Sequence, residues 1–372
     1  SMRFHGTWLL LIDQSASEPI QCSGGILYHN VTRCTKSGEG LGSRLFNTGF
    51  ANAFGYARYL GLAFRCPRNP FLVHSDMDVS HLFGCHDEPT WADVAAQGYV
   101  ITQVRKPGSH GKKIKHLPTL EESVVPGPQW LDLHSCGPGG GEAPPPYDEV
   151  RPFFDFLRGR LHASRATWRT GLWCGEDPSA SCEDLPTVRV AAIIRRADPV
   201  EIGMAPEDRP TFRYEPVEEF ATALQQLAGL LGDLKPRVLV FSQASEDDEE
   251  FLKLRTIPGL DVHLLLGTAD SGGATRLERD IQHITSANIV LGSASQWSRV
   301  LAALAAEGPA IFSRAAATGH IHGRDIRTEF DGVLIREELA GMTRSEIVDA
   351  LALRRPLGAA DTCLPPVWRK EL

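Results

Sequence analysis

Long hydrophobic runs are missing from this chain. Nothing in its 372 residues approaches the ~18 consecutive apolar residues needed to cross a bilayer. The longest apolar run near the start, Trp8 to Ile12, is too short for the core of a secretory leader. No CxxC pair occurs among the eight cysteines, which removes the usual spacing of a zinc site or a thiol-exchange centre. Positive charge is not in excess: 38 Lys and Arg stand against 46 Asp and Glu, a net charge of −8. That balance argues against a nucleic-acid groove and leaves room for a local basic pocket. No internal repeat is present. What remains is 42% hydrophobic and 23% charged, the composition of a globular protein long enough for two domains.

The cysteines are even in number and scattered. That pattern suits disulfides in an oxidising compartment, and it also suits buried free thiols in a cytosolic enzyme. Asn30-Val31-Thr32 is a glycosylation acceptor triplet and adds a little to the first reading, a place in the secretory pathway.

The two halves differ in texture. Residues 1–173 are irregular and rich in Gly, Pro and His, whereas 187–372 alternate between short apolar strands and amphipathic helices. The patterning predicts strands at 187–195, 236–242, 259–266, 287–292, 308–313 and 331–335. Helices are predicted at about 216–233, 275–286, 295–306 and 344–353. Such alternation implies βαβ units and a parallel sheet, hence one doubly wound α/β domain. In the first half, 24–31 reads as a strand and about 43–63 as a helix with Phe46, Phe50, Phe54, Ala57 and Leu60 in its core face. Residues 71–75 read as a further strand, 136–149 as a loop, and 174–186 as a linker that Cys174 and Cys182 are spaced to staple. The expected division is a first domain over 1–180, a second over 187–343, and a helix and tail over 344–372 that pack back toward the first.

Three strand ends and one turn carry the chemistry. In TVRVAAIIRRADPV, 187–200, a buried strand runs into Arg195 and Arg196. Ligands of open α/β sheets lie outside the carboxyl ends of the strands, and guanidinium groups there hold phosphate by forked hydrogen bonds. In LGSASQWS, 291–298, a strand passes into a helix start with Ser293 and Ser295 as candidate phosphate ligands, or as plain helix caps. Ser242 follows the strand of FSQASEDDEEF and is a candidate ribose or base contact. Gly38, Gly40 and Gly42 form a GxGxG turn between a strand and a helix, with Ser43 as its cap. Ser43 stands where a dinucleotide fingerprint has its third glycine, and no acidic residue closes a strand ~20 positions on, which argues against NAD. Asp76-Met77-Asp78 is a DxD of a kind that occurs often by chance, and it lies outside the half that carries the nucleotide-like sheet; Gln282-His283 and His320-Ile321-His322 lack a third ligand at convincing spacing, so no metal is expected.

The residues in this order resemble the fucosyltransferase superfamily of GT-B fold, which embraces α1,2-, α1,6- and protein O-fucosyltransferases. The carriers are GEGLGSRLF at 38–46, IIRRAD at 193–198 and DIQHITSANIVLGSASQWS at 280–298, with FRYEPVEEF at 212–220 between them. The likeness covers roughly 38–62 and 187–306. It implies two Rossmann-like domains facing across a cleft, with no cofactor beyond the nucleotide-sugar donor, GDP-fucose or another. The acceptor it implies is a glycan or glycoprotein; from the charge balance and the lack of a long apolar run, no nucleic-acid and no membrane partner is expected. Arg195 matches the arginine that contacts the donor diphosphate, and Arg196 is its supporting neighbour. Ser293 and Ser295 match the phosphate turn, Asp280 an orienting acid, and Gly40 and Gly42 the glycine motif. Glu39 lies where some members carry the base, with His74, His86 and Asp87 as competitors. Ile193 replaces the motif histidine, Ala197 its glycine, and Arg44 the glutamine of the α1,2 type. The expected activity is inverting, metal-independent transfer of a sugar. A nucleotide-dependent oxidoreductase and a binding protein without turnover remain as alternatives.

Overall fold

The computed structural model of the chain describes residues 25–30, 54, 57, 63–65, 80–83, 91–96, 100–105, 129–134, 150–165, 168, 170–175, 188–195, 215–267, 273–318 and 325–358. The expected strand at 71–75, the loop at 136–149 and most of the linker at 174–186 lie outside these residues.

The first half is more regular than its texture suggests. Strands β1 (Gly25–Asn30), β2 (Ala63–Arg65), β3 (Val100–Arg105) and β4 (Gln129–His134) form an all-parallel sheet in the order β2-β1-β4-β3. Helix α1 (Trp91–Ala96) precedes β3, and α2 (Val150–Ala163) follows β4. Phe54 and Ala57 are helical and buried, as the periodicity of 43–63 requires, but residue 63 already belongs to β2, so that helix ends earlier than expected. Phe54 stacks on Phe156 of α2 at 5.2 Å and meets Phe64 edge-on at 5.6 Å.

Helix α2 was hidden in the sequence by two breakers, and the structure explains both. Pro152 falls in the first turn, where a missing N–H costs no helical bond. Gly159 is required by the tail of the chain: a Cβ there would lie 1.9 Å from the Gly358 carbonyl oxygen. The tail is held against α2 by the Gly358 amide donating to Asp155 O at 2.8 Å. Residues 171–173 form a 3-10 turn whose Leu172 and Trp173 are buried, and the Trp173 indole donates to Ser286 Oγ at 2.9 Å. Cys174, just beyond, is disulfide-bonded to a partner outside the described residues.

The second half contains all six predicted strands, each trimmed at one or both ends: β5 (Arg189–Ile193), β6 (Arg237–Phe241), β7 (Asp261–Leu265), β8 (Ile289–Gly292), β9 (Ala310–Phe312) and β10 (Val333–Ile335). They form a parallel sheet ordered β10-β9-β8-β5-β6-β7. Because side chains alternate across a strand, β5 feeds two cores. Ala191 and Ile193 join Leu239, Phe241, Val290 and Phe312 in one layer; Val190, Ala192 and Ile194 join Val238, Val240, Leu291 and Ile311 in the other. Burial on both faces is why these strands read as near-continuous Val, Ile and Leu. The second layer is closed by α3 (Val217–Leu231), the single turn α4 (Glu249–Leu252) and, through Ile347, the late helix described below. The first layer is closed by α2, α5 (Gly273–Thr285) and α6 (Gln296–Leu304). It also takes in Phe54, Phe64 and Phe83 of the first half. Helix α7 (Arg314–Ala317) follows β9 and α8 (Arg344–Leu351) follows β10, the latter started by a complete capping box between Thr343 and Glu346.

Helix α6 is buried from Ser298 to Leu304, so its last carbonyls have no water to accept from. Arginines and a histidine supply the donors. Arg158 of α2, 1% exposed, donates to Ala303 O at 2.8 Å and to Pro356 O at 2.6 Å, and pairs with Asp155 at 2.7 Å. His162 reaches Leu304 O at 3.1 Å, Arg355 donates to Ala305 O at 2.9 Å, and the Arg355 amide donates to Ala306 O at 2.8 Å. Burial, together with the neighbouring Arg158, pushes the Arg355 guanidinium down to about 9. Cations at the negative end of the helix dipole add to the hydrogen bonds. Arg158→Ala is expected to cost about 3 kcal/mol, because it strips several buried acceptors at once. Urea unfolding measures it; a loss below about 1 kcal/mol would show that the clamp is not a stabilising element.

Candidate nucleotide site at the strand ends

The strand order locates the crevice. From β5 the chain winds outward through β6 to β7, then returns through α5 to β8 on the other side of β5 and winds outward again through β9 and β10. Order therefore reverses between β5 and β8, the place where doubly wound sheets open a ligand crevice at their carboxyl ends. Register brings the candidate residues close to one level. Ile193 pairs with Phe241 on one side and with Gly292 on the other. The residues just past those positions are Ile194, Ser242 and Ser293, and Arg195 follows one residue further on. The ladder continues into them: the Ile194 amide donates to Phe241 O and the Ser293 amide to Ile193 O, both at 3.0 Å. Arg195 is half-buried at this rim.

The turn between β8 and α6 is tightly made. Gly292 is obligatory, since a Cβ there would sit 2.3 Å from the Phe312 ring. Ser295 caps α6, its Oγ accepting from the Ser298 amide at 3.1 Å. The Ser293 and Ser295 hydroxyls lie 3.0 and 2.9 Å from Ser298 Oγ, and all three serines are 3% exposed or less. These hydroxyls are committed inside the turn. A phosphate arriving here meets backbone amides; those of Gln296 and Trp297, both half-buried, have no acceptor among the described residues. The Ala294 amide is already taken, by the carboxylate of Glu215 at 2.9 Å. The other Glu215 oxygen accepts from Arg336 at 3.0 Å. Arg336 follows β10 directly, pairs also with Glu219, and lies over the Phe220 ring at 5.0 Å.

The other candidates are spread more widely. Ser242 is half-buried and accepts from the Ala244 amide at 3.2 Å, a local turn bond. Asp280 stands in the middle of α5, held by Arg279 at 2.9 Å, with Arg276 at 3.9 Å. Burial raises its carboxyl above the ordinary value against the pull of both arginines. Arg276 in turn donates to Leu266 O at the carboxyl end of β7, 2.7 Å away. His283 is fully buried, its Nδ1 2.8 Å from Arg279 O, and is a core histidine. Glu39, Gly40, Gly42, Arg196, His74, His86 and Asp87 lie outside the described residues. Two features escaped sequence reasoning. Glu215, inside the FRYEPVEEF segment, was not singled out there, Arg336 carries no motif, and the two meet only in the fold. In the first sheet, Asn30, His134 and Arg105 stand in register at the carboxyl ends of β1, β4 and β3; a polar residue closing each strand was the available signal. No group of three His, Cys, Asp or Glu suited to a metal occurs among the described residues, and none of their helices is long and apolar enough to cross a membrane.

Counted from β5, the second sheet has the order 3-2-1-4-5-6, and its rim carries an arginine and a serine turn at the switch point. That defines an α/β protein whose second half is a doubly wound domain. No family model and no curated protein matches the chain. Among solved structures it is similar to POFUT1 in complex with GDP, at 12% identity over 76% of this chain and 94% of that one, with a TM-score of 0.39. It is similar to POFUT1 in complex with GDP-fucose, at 11% over 77% and 95%, TM-score 0.41. It is also similar to a point mutant of Arabidopsis thaliana FUT1 in complex with GDP, at 12% over 78% and 71%, TM-score 0.39.

Two buried histidines set a pH dependence. Burial pushes His162 and His283 from 6.5 down to about 4, so both stay neutral in the folded protein where the unfolded chain takes up protons. Their contribution is complete above about pH 6.5 and is lost as the pH falls toward 4. Thermal melts are expected to show Tm falling between pH 7 and pH 4.5. In the double variant His162→Gln with His283→Gln, compared with its own value at pH 7, the fall is expected to be shallower. Parallel curves would contradict this.

Proposed function

We propose that the chain is a glycosyltransferase that takes its sugar from a nucleotide-sugar donor, with GDP-fucose as the donor the motifs favour. The observation that carries the reading is Arg195, set at the switch point of a doubly wound sheet one residue beyond the level of the Ser293 turn. Glycosyl transfer builds negative charge on the leaving diphosphate while the sugar becomes oxocarbenium-like. A guanidinium and helix-start amides at one rim are groups that hold such charge without rearranging. In this reading Arg195 grips the diphosphate with Arg196 beside it. The α6 amides take a phosphate oxygen, and Ser242 and Asp280 serve the nucleoside. The first half faces this rim across a cleft, with the Gly40 and Gly42 turn against the donor. It presents the hydroxyl of a glycan or glycoprotein, and Glu39 removes its proton on the face opposite the leaving group. The transfer is inverting and needs no metal. The disulfide at Cys174 supports an oxidising compartment, and with it the secretory pathway.

The strand order is shared with dinucleotide-binding domains, which keeps a nucleotide-dependent oxidoreductase as the second reading. One thermal-shift screen separates the two: GDP and GDP-fucose are expected to raise Tm, and NADH is not. A shift with NADH alone would replace the proposal with the second reading. Arg195→Ala is expected to lower GDP release from GDP-fucose by about 100-fold or more while Tm stays within a few degrees of wild type. Full activity in that variant would remove Arg195 from the mechanism.

A further inference from the structure

The chain leaves β5 at Arg195 and is next described at Glu215, immediately before α3. At that return point Glu215 is tied to the rim it left. One carboxylate oxygen accepts from the Ala294 amide of the serine turn at 2.9 Å, and the other from Arg336 behind β10 at 3.0 Å. The side chains of Glu215 and Arg336 are 10% and 5% exposed, so neither is solvated enough to give up the other cheaply. Glu215 is thus a fixed cross-tie between the end of the arginine-bearing segment, the start of α6 and the last strand. The Ser293, Ser295 and Ser298 hydroxyls bond only one another and the cap amide, so they shape the turn from inside but do not anchor it to anything outside.

Resting on the donor-binding reading above, we propose that Glu215 is a positioning residue for the donor diphosphate. By holding Ala294 it sets the direction of the next amides, Gln296 and Trp297. Because β5 and β8 are paired up to Ile193 and Gly292, and the Ser293 amide donates to Ile193 O, fixing this turn holds Arg195 and those amides at one mutual spacing. A diphosphate that needs both groups binds well only while that spacing is kept. Glu219 provides the internal control, because it is half-exposed and touches Arg336 without touching the turn.

The test is calorimetric titration of GDP into wild type and the variants E215Q, E219Q and E215Q/R336Q, with Tm recorded for each. E215Q is expected to weaken GDP about 10-fold or more, and E219Q to leave affinity within twofold. The double variant removes both buried charges; it is expected to recover Tm relative to E215Q without recovering affinity. That separates positioning from stability, and it keeps the test open where E215Q alone folds poorly. GDP affinity unchanged in E215Q, or restored in the double variant, overturns the role of Glu215 alone. Wild type that binds no GDP overturns the glycosyltransferase reading, and this role with it.

Discussion

Helix α6 is the element on which the rest depends. Apart from Gln296 and Trp297 it is buried along its whole length, so both of its ends must be satisfied by protein. Its carboxyl end is met by Arg158 and His162 from α2 and by Arg355 from the tail, which joins the first half, the second sheet and the end of the chain in one polar clamp. Its amino end is met by Ser295 within the turn and by Glu215 on the preceding amide. A helix pinned in this way presents its first amides at a fixed place on the sheet rim. The mechanical demand of burying α6 and the chemical demand of the proposed anion site therefore meet in one helix.

The sheet supplies the second constraint. With β5 in the centre and the winding reversed at β8, the residues that follow Ile193 and Gly292 stand at the switch point of the sheet. Arg195 is placed there by register alone. Glu215 pairs with Arg336, and Asp280, in the middle of α5, with Arg279 and Arg276. The proposed chemistry runs through Arg195, which stands at the switch point.

Much of this was legible in the sequence, and unevenly so. The strands of the second half announce themselves because burial on both faces demands unbroken Val, Ile and Leu, and the double arginine stands out against such a run. The first half concealed its sheet because β2 is three residues long and because α2 contains Pro152 and Gly159. Both are tolerated for tertiary reasons, a first-turn position and the close passage of Gly358. Ser293 and Ser295 were visible as a turn, but not the commitment of their hydroxyls to Ser298. Glu215 was invisible as a site residue, since its partners lie 79 and 121 residues away.

By itself the sequence determined the alternation of strand and helix, the parallel character of the second sheet and the arrival of a charged pair at a strand end. All of these are local consequences of side-chain periodicity and of where apolar runs stop. Only the tertiary structure decided the strand order that puts that end at a switch point and the two-sided clamp on α6. It alone decided, too, which carboxylate takes the amide beside the serine turn. Those depend on buried polar groups finding partners far along the chain, and an unpaired group in the interior costs too much for the fold to leave the matter open.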